Sequence, residues 1–80
     1  MRIIIAEDDP NLRKLYRMSV ETFIPDGVID EVNNGSDLVT RVVEGNYDLV
    51  LTDNNMPPGL SGLEAIRQIR ARGRKYQSVC

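Results

Sequence analysis

Three short apolar runs alternate along the chain with segments whose apolar residues recur every three or four positions. The runs lie at Arg2–Ala6, at Val28–Val32 and at residues 47–52, and the first and third are almost continuously apolar. Short, β-branched, continuous runs are typical of strands that are buried on both faces, as in a parallel sheet. The pattern therefore predicts three strands, of which the second is the weakest.

The segments between the runs carry helix signals. Asp9-Pro10 predicts an N-cap followed by proline at the first helical position. Asn34-Gly35-Ser36 predicts a turn and cap before a second helix, and Ser61 predicts the start of a third. Ser61 with Glu64 fits a capping box. The apolar stripes expected to face the core are Leu12, Leu15, Tyr16, Ser19 and Phe23 in the first helix, Leu38, Val39, Val42 and Val43 in the second, and Leu63, Ile66 and Ile69 in the third.

The order of these elements predicts the fold class. Strands that alternate with helices favour parallel pairing, right-handed crossovers and helices on both faces of the sheet. The expectation is an α/β fold with a doubly wound parallel sheet. Residues 74–80 form a polar remainder for which the pattern predicts no element.

Length and composition limit what the chain can be. Eighty residues allow one small domain, and no apolar run approaches the roughly 20 residues that cross a bilayer. No secretory signal opens the sequence. One cysteine and no histidine exclude a Cys/His zinc site and a histidine-dependent catalytic triad. A reduced, cytoplasmic setting without membrane contact is expected.

Charge is unevenly distributed. Residues 1–66 carry a net charge of −7, whereas residues 67–80 carry five bases and no acid. A basic segment can bind nucleic acid, but it is also typical of the solvated end of a helix. No aromatic residue is interleaved among the arginines, and the sequence pI is about 5.0, so direct nucleic-acid binding is not expected.

The candidate chemistry lies after the first and third runs. Glu7, Asp8 and Asp9 follow the first run, and Asp53 follows the third. If those strands are neighbours, the carboxylates meet at the edge where parallel sheets bind ligands. Oxygen ligands without His or Cys favour Mg²⁺. The alternatives are that Asp9 is only a helix cap and that Glu7 and Asp8 are solvated loop acids. A calcium loop, a phosphate-binding glycine-lysine loop and a dinucleotide fingerprint are absent.

Four stretches together resemble a known family. They are residues 3–10 (IIIAEDDP), 34–35 (NG), 47–57 (YDLVLTDNNMP) and 62–64 (GLE). In order and spacing they resemble the receiver domain of bacterial two-component response regulators. The resemblance covers nearly the whole chain, and it implies a flavodoxin-like fold with strand order 2-1-3.

The resemblance also implies roles for individual residues. Asp53 is expected to accept a phosphoryl group from a histidine kinase or a phosphotransfer protein. Mg²⁺ is expected to be held by Asp8 directly, by Glu7 largely through water, by Asp53, and by the backbone carbonyl of Asn55. The implied function is phosphorelay signalling by a phosphoacceptor domain rather than an enzyme.

Two features depart from the family pattern. The loop of residues 57–62 is one residue longer than usual, with Ser61 where an acid is common. The last two strand–helix units are missing, so residues 1–80 are expected to be the N-terminal part of a single, incomplete receiver domain. Lys75 and Ser78 come too early to replace the Lys and the Ser or Thr that contact the phosphoryl group in this family. An alternative is therefore a non-catalytic fragment or interaction module.

The missing units also suggest self-association. A third strand without its usual neighbour would leave an uncovered sheet edge at Leu49, Val50 and Leu51. The expectation is a homodimer or higher oligomer, joined near that strand and residues 76–80.

Overall fold

The computed structural model describes residues 1–53, 59 and 61–73 together with the backbone of 77–79. Its elements are β1 (Arg2–Ala6), α1 (Pro10–Phe23), β2 (Val28–Val32), α2 (Gly35–Glu44), β3 (Leu49–Thr52), α3 (Gly62–Ala71) and β4 (Gln77–Val79). The alternating α/β order is the one that the sequence predicts. In the described part of the chain, no helix has the length and apolarity that crossing a membrane requires.

All strand pairs are parallel, and the strand order is β2-β1-β3-β4. The predicted order 2-1-3 is confirmed, but the expectation that residues 74–80 form no element is wrong. Gln77 pairs with Leu49, and Val79 pairs with Leu51, so the edge of β3 that was expected to be uncovered is covered. A strand of three residues is too short to show a hydrophobic pattern, so the sequence gives no sign of it. Self-association itself stays a prediction.

The core consists of two layers, one on each face of the sheet. Successive side chains of β1 alternate between them, because neighbouring residues of a strand point to opposite faces. Ile4 and Ala6 pack with residues of α2 and α3, whereas Ile3 and Ile5 pack with α1. Helices cover both faces, as predicted.

The three predicted helix caps are all present. Asp9 Oδ1 accepts hydrogen bonds from the backbone N–H groups of Asn11 and Leu12, at 2.8 and 3.4 Å. Asn34 Oδ1 accepts from Asp37 N at 2.7 Å, and Ser61 Oγ accepts from Glu64 N at 3.2 Å. Each cap marks the residue at which its helix begins after the preceding strand or loop.

The buried face of α1 differs from the predicted stripe. Val20 is buried and Tyr16 and Ile24 are half-buried, whereas Leu12, Leu15 and Phe23 are exposed, Phe23 to 84%. The buried stripe is therefore offset around the helix, and on its half-buried side Arg13 and Arg17 both pair with Glu31 of β2. Among the described helices, α1 alone lies on this face of the sheet, so the offset side chains have no helix to pack against.

The stripes of the other helices agree better with the prediction. Leu38, Val39 and Val42 are buried in α2, and Ile66 and Ile69 are buried in α3. Leu63 is exposed, contrary to the prediction, because Gly62 and Ala65 occupy the helix face that meets the sheet.

The orientation of α1 yields a prediction about stability. Val20→Ala removes buried methyl groups and is expected to lower the free energy of unfolding by about 2 kcal/mol. Leu15→Ala, in the same helix at 56% exposure, is expected to change it by less than about 0.5 kcal/mol. Chemical denaturation of the two variants measures the difference. Equal losses would show that Leu15 is buried as deeply as Val20 and would contradict this orientation of α1.

Candidate functional site

The register of β1 and β3 brings two acidic residues together. Ala6 pairs with Thr52, so the next residues, Glu7 and Asp53, leave the sheet side by side at its carboxyl edge. Asp53 N donates to the carbonyl of Ala6 at 3.2 Å, and Glu7 N donates to the carbonyl of Val32 on β2 at 3.1 Å. The prediction that β1 and β3 are adjacent strands is therefore confirmed.

Asp8 and Asp9 occupy the turn between β1 and α1, and they differ in what they do. Asp9 is the N-cap of α1, and its side chain accepts hydrogen bonds from the first helical N–H groups. Asp8 is exposed, but its carboxylate interacts with that of Glu7. The interpretation of Asp9 as a helix cap is confirmed. Asp8 lies at the same edge of the sheet as Glu7 and Asp53.

Glu7 is the most unusual group at this edge. Its side chain is 1% exposed, although it ends a strand next to two other acids. Oε1 accepts a hydrogen bond from Asp9 N at 3.2 Å, and Oε2 is buried without a hydrogen-bond partner. Burial, reinforced by the carboxylates of Asp8 and Asp53, raises the pKa of Glu7 to about 7.

Asp30 on β2 shows how the same fold treats an acid that has donors. Its carboxylate accepts from the hydroxyl of Tyr47 and pairs with Arg2 and Arg41 at 3.4 and 3.5 Å. The Tyr47 hydrogen bond, helped by the two arginines, lowers the pKa of Asp30 below its usual value. Among the described residues, no arginine or lysine pairs with the Glu7 carboxylate. This carboxylate is therefore suited to bind a metal cation.

The carbonyl of Asp53 lies between the side chain of Thr52 and the first turn of α3. The hydroxyl of buried Thr52 donates to the carbonyl of Asp53 at 3.1 Å. A Cβ on Gly62 would lie 2.4 Å from that carbonyl oxygen, so only glycine lets the first turn of α3 approach so closely. Because the atom in the way belongs to the backbone, a larger residue would displace either α3 or Asp53.

The structure brings together three of the four predicted site residues. Glu7, Asp8 and Asp53 share one edge of the sheet, whereas Asn55 lies outside the described residues. Within the described part of the chain, no group of three or more His, Cys, Asp or Glu side chains is arranged so that it could hold a metal ion. The donor set nevertheless fits a hard divalent cation, because Glu7 Oε2 is a buried carboxylate oxygen without a partner.

Two residues near the acids were not recognised from sequence. Arg13 Nη1 donates to the backbone carbonyl of Glu7 at 2.8 Å. The Tyr16 phenol has a raised pKa, through burial first and then the charges of Glu7 and Asp53. Both positions follow from the helical period of α1 once Asp9 is its cap, since residues four and seven positions later return to the same side.

Comparison with known proteins identifies the family. A family model described as the response regulator receiver domain matches residues 3–79. The chain belongs to the receiver-domain family of response regulators. It is thus a signalling domain of two-component systems, as the resemblance implied.

Similar proteins place this receiver domain among longer chains. It is 39% identical to the transcriptional regulatory protein ResD of Bacillus subtilis over 71 residues, which cover 89% of this chain and 28% of ResD. It is 37% identical to the rice two-component response regulator ORR41 over 75 residues, 91% of this chain and 58% of that protein. The chain therefore spans less than two thirds of these relatives.

Solved structures agree with the fold. The response regulator TrrA of Thermotoga maritima, solved in complex with Mg²⁺-BeF, gives a TM-score of 0.84 at 35% identity, covering 96% of this chain and 64% of that one. TrrA in complex with the histidine kinase ThkA gives 0.81 with the same identity and coverage. The flavodoxin-like receiver fold is confirmed for this chain.

The raised pKa of Glu7 yields a pH-dependent prediction. An acid whose pKa is about 7 in the folded state and 4.5 when unfolded destabilises the fold as pH rises between these values. Without metal, Glu7→Gln is therefore expected to raise the free energy of unfolding at pH 8 by about 3 kcal/mol and to have little effect at pH 4. Urea denaturation across this pH range measures the difference.

Glu44→Gln, at the exposed end of α2, is the control and is expected to change stability by less than about 0.5 kcal/mol. A loss of stability at pH 8 in Glu7→Gln would show that the charged carboxylate is a structural acceptor.

Proposed function

We propose that this receiver domain accepts a phosphoryl group on Asp53 with the help of a divalent cation held by its acidic edge. The observation that carries the proposal is the buried Glu7 carboxylate, which has an unpartnered oxygen and lies beside Asp53 at the end of the neighbouring strand. Structural acids normally obtain a donor, as Asp30 does. Glu7 has the Asp9 amide as a donor to Oε1, but its buried Oε2 has no hydrogen-bond partner among the described residues, which is a feature of sites whose charge is balanced by a ligand.

The chemistry assigned to Asp53 is nucleophilic attack on phosphorus. One carboxylate oxygen forms a bond to the phosphorus of a phosphohistidine, while the bond from phosphorus to the imidazole nitrogen breaks. The bonding electron pair stays on that nitrogen, which then takes up a proton. Phosphoryl transfer depends mainly on positioning and charge neutralisation. The hydrogen bonds that fix the backbone of Asp53 through Ala6 and Thr52 supply the positioning.

The cation assigned to the site is Mg²⁺. Asp8, Asp53, the carbonyl of Asn55 and, through water, Glu7 are the proposed ligands. Mg²⁺ takes oxygen ligands, keeps several waters and binds phosphate oxygens, so when bound it would offset the charge of the transferring group. The complex of the similar protein TrrA with Mg²⁺-BeF supports this assignment.

The proposed phosphodonor is a histidine kinase or a phosphotransfer protein in the cytoplasm. The complex of TrrA with the histidine kinase ThkA supports this class of partner. We further propose that residues 1–80 form the N-terminal part of one receiver domain, which agrees with the 64% of the TrrA chain that they cover. No direct binding of nucleic acid is assigned to this segment.

A phosphodonor assay tests the function. Incubation with acetyl phosphate and Mg²⁺ is expected to add the mass of one phosphoryl group, measured by intact mass spectrometry. Asp53→Asn is expected to abolish the gain, because it removes the nucleophile. Asp26→Asn, in the exposed turn after α1, is the matched control and should be phosphorylated like the unchanged protein. A chain that gains no mass at any Mg²⁺ concentration would instead be an interaction module.

A titration tests the cation site separately from phosphoryl transfer. Mg²⁺ is expected to shift the backbone amide resonances of Glu7, Asp8 and Asp53 in NMR spectra, and to leave those near Asp26 and Asp37 unchanged. Asp8→Ala removes a proposed direct ligand and should weaken binding by about tenfold or more. An affinity unchanged by Asp8→Ala would contradict the assigned ligand set.

A further inference from the structure

Arg13 connects α1 to the backbone of the acidic edge. It lies in the first turn of α1, and its side chain is half-buried. Nη1 donates to the carbonyl of Glu7 at 2.8 Å, while Nε donates to Glu31 Oε1 on β2 at 3.2 Å. The planar guanidinium thus joins the carbonyl just after β1 to a carboxylate on β2, a geometry that a lysine ammonium cannot reproduce with one point charge.

The carbonyl that Arg13 holds belongs to the peptide between Glu7 and Asp8. Since a peptide unit is planar, fixing its oxygen fixes the directions in which the chain leaves both residues. The amide of Glu7 is already held by the carbonyl of Val32, and the amide of Asp9 donates to Glu7 Oε1. Arg13 therefore supplies the donor that fixes the orientation of the peptide joining the two acids.

We propose that Arg13 is a positioning residue for cation binding, which it promotes by holding the Glu7–Asp8 peptide in place. The inference rests on the proposed function, because it assigns a purpose to the geometry of the proposed ligands. Among the described hydrogen bonds and ion pairs, Arg13 has none to the carboxylates of Glu7, Asp8 or Asp53. It acts through the backbone.

Electrostatics alone predicts the opposite effect. A guanidinium near the acids repels a divalent cation, so removing its charge would tighten Mg²⁺ binding if charge were the only contribution. If positioning dominates, removing Arg13 weakens binding in spite of the lost repulsion. The sign of the change therefore distinguishes the two effects.

Arg17 provides a matched control. Its Nη1 pairs with the same Glu31 carboxylate, at Oε2 and 2.6 Å, and it lies one turn further along α1. Both arginines therefore tie α1 to β2, but only Arg13 reaches the Glu7 carbonyl among the described contacts. Replacing Arg17 removes a positive charge and an ion pair to Glu31 without removing the donor that the proposal requires.

The experiment compares Mg²⁺ dissociation constants of Arg13→Met, Arg13→Lys and Arg17→Met, measured by amide shifts at a temperature where all are folded. Arg13→Met is expected to weaken Mg²⁺ binding by about tenfold, as for the loss of other groups that orient metal ligands. Arg13→Lys should weaken it in the same direction, because the charge stays but the planar fork is lost. Arg17→Met should remain within about twofold of the unchanged protein, since the contact to Glu7 is kept.

Tighter or unchanged Mg²⁺ binding in Arg13→Met would overturn the inference. If the unchanged protein binds no Mg²⁺, the proposed function fails, and a metal-free measurement then tests the positioning claim. Hydrogen exchange of the Asp9 amide, which donates to Glu7 Oε1, should be faster in Arg13→Met than in Arg17→Met. Equal exchange rates in the two variants would contradict the positioning role.

Discussion

The burial of one carboxylate, that of Glu7, is the constraint on which the site depends. A charged group removed from water is unfavourable unless it is paired. Among the described residues, Glu7 Oε1 accepts from the Asp9 amide, while Oε2 has no hydrogen-bond partner. Asp53 beside it adds a second negative charge. The fold bears this unfavourable arrangement at the edge where parallel sheets bind ligands, and a bound cation would relieve it.

The rest of the structure holds the backbone around this group. The register of β1 with β3 places Glu7 next to Asp53, and the Asp9 cap directs α1 away from the edge. Arg13 reaches back from α1 to the Glu7 carbonyl, and Gly62 lets α3 approach the carbonyl of Asp53. The pairing of β1 with β3 keeps Glu7 and Asp53 close together, although their negative charges repel each other.

Much of this arrangement could be predicted from the sequence, because strand ends, caps and acids are local features. Parallel pairing follows from the alternation of elements, whereas the order 2-1-3, and with it the approach of Glu7 to Asp53, is implied by the resemblance to receiver domains. The pairing of Gln77–Val79 with β3 is not predicted, because residues 74–80 carry no strand-like apolar pattern in the sequence. The buried face of α1 could not be predicted either, since the apolar period alone does not show that Leu12, Leu15 and Phe23 lie where no other described helix packs.

The central claim is that Glu7 is a buried acid whose charge is balanced by a cation. Titration of its side-chain carboxyl carbon by ¹³C NMR, with and without Mg²⁺, measures this directly. Without metal, the Glu7 pKa is expected near 7, and saturating Mg²⁺ is expected to lower it because the cation favours the ionised form. A metal-free pKa near the ordinary 4.5, or one that Mg²⁺ leaves unchanged, would contradict the account.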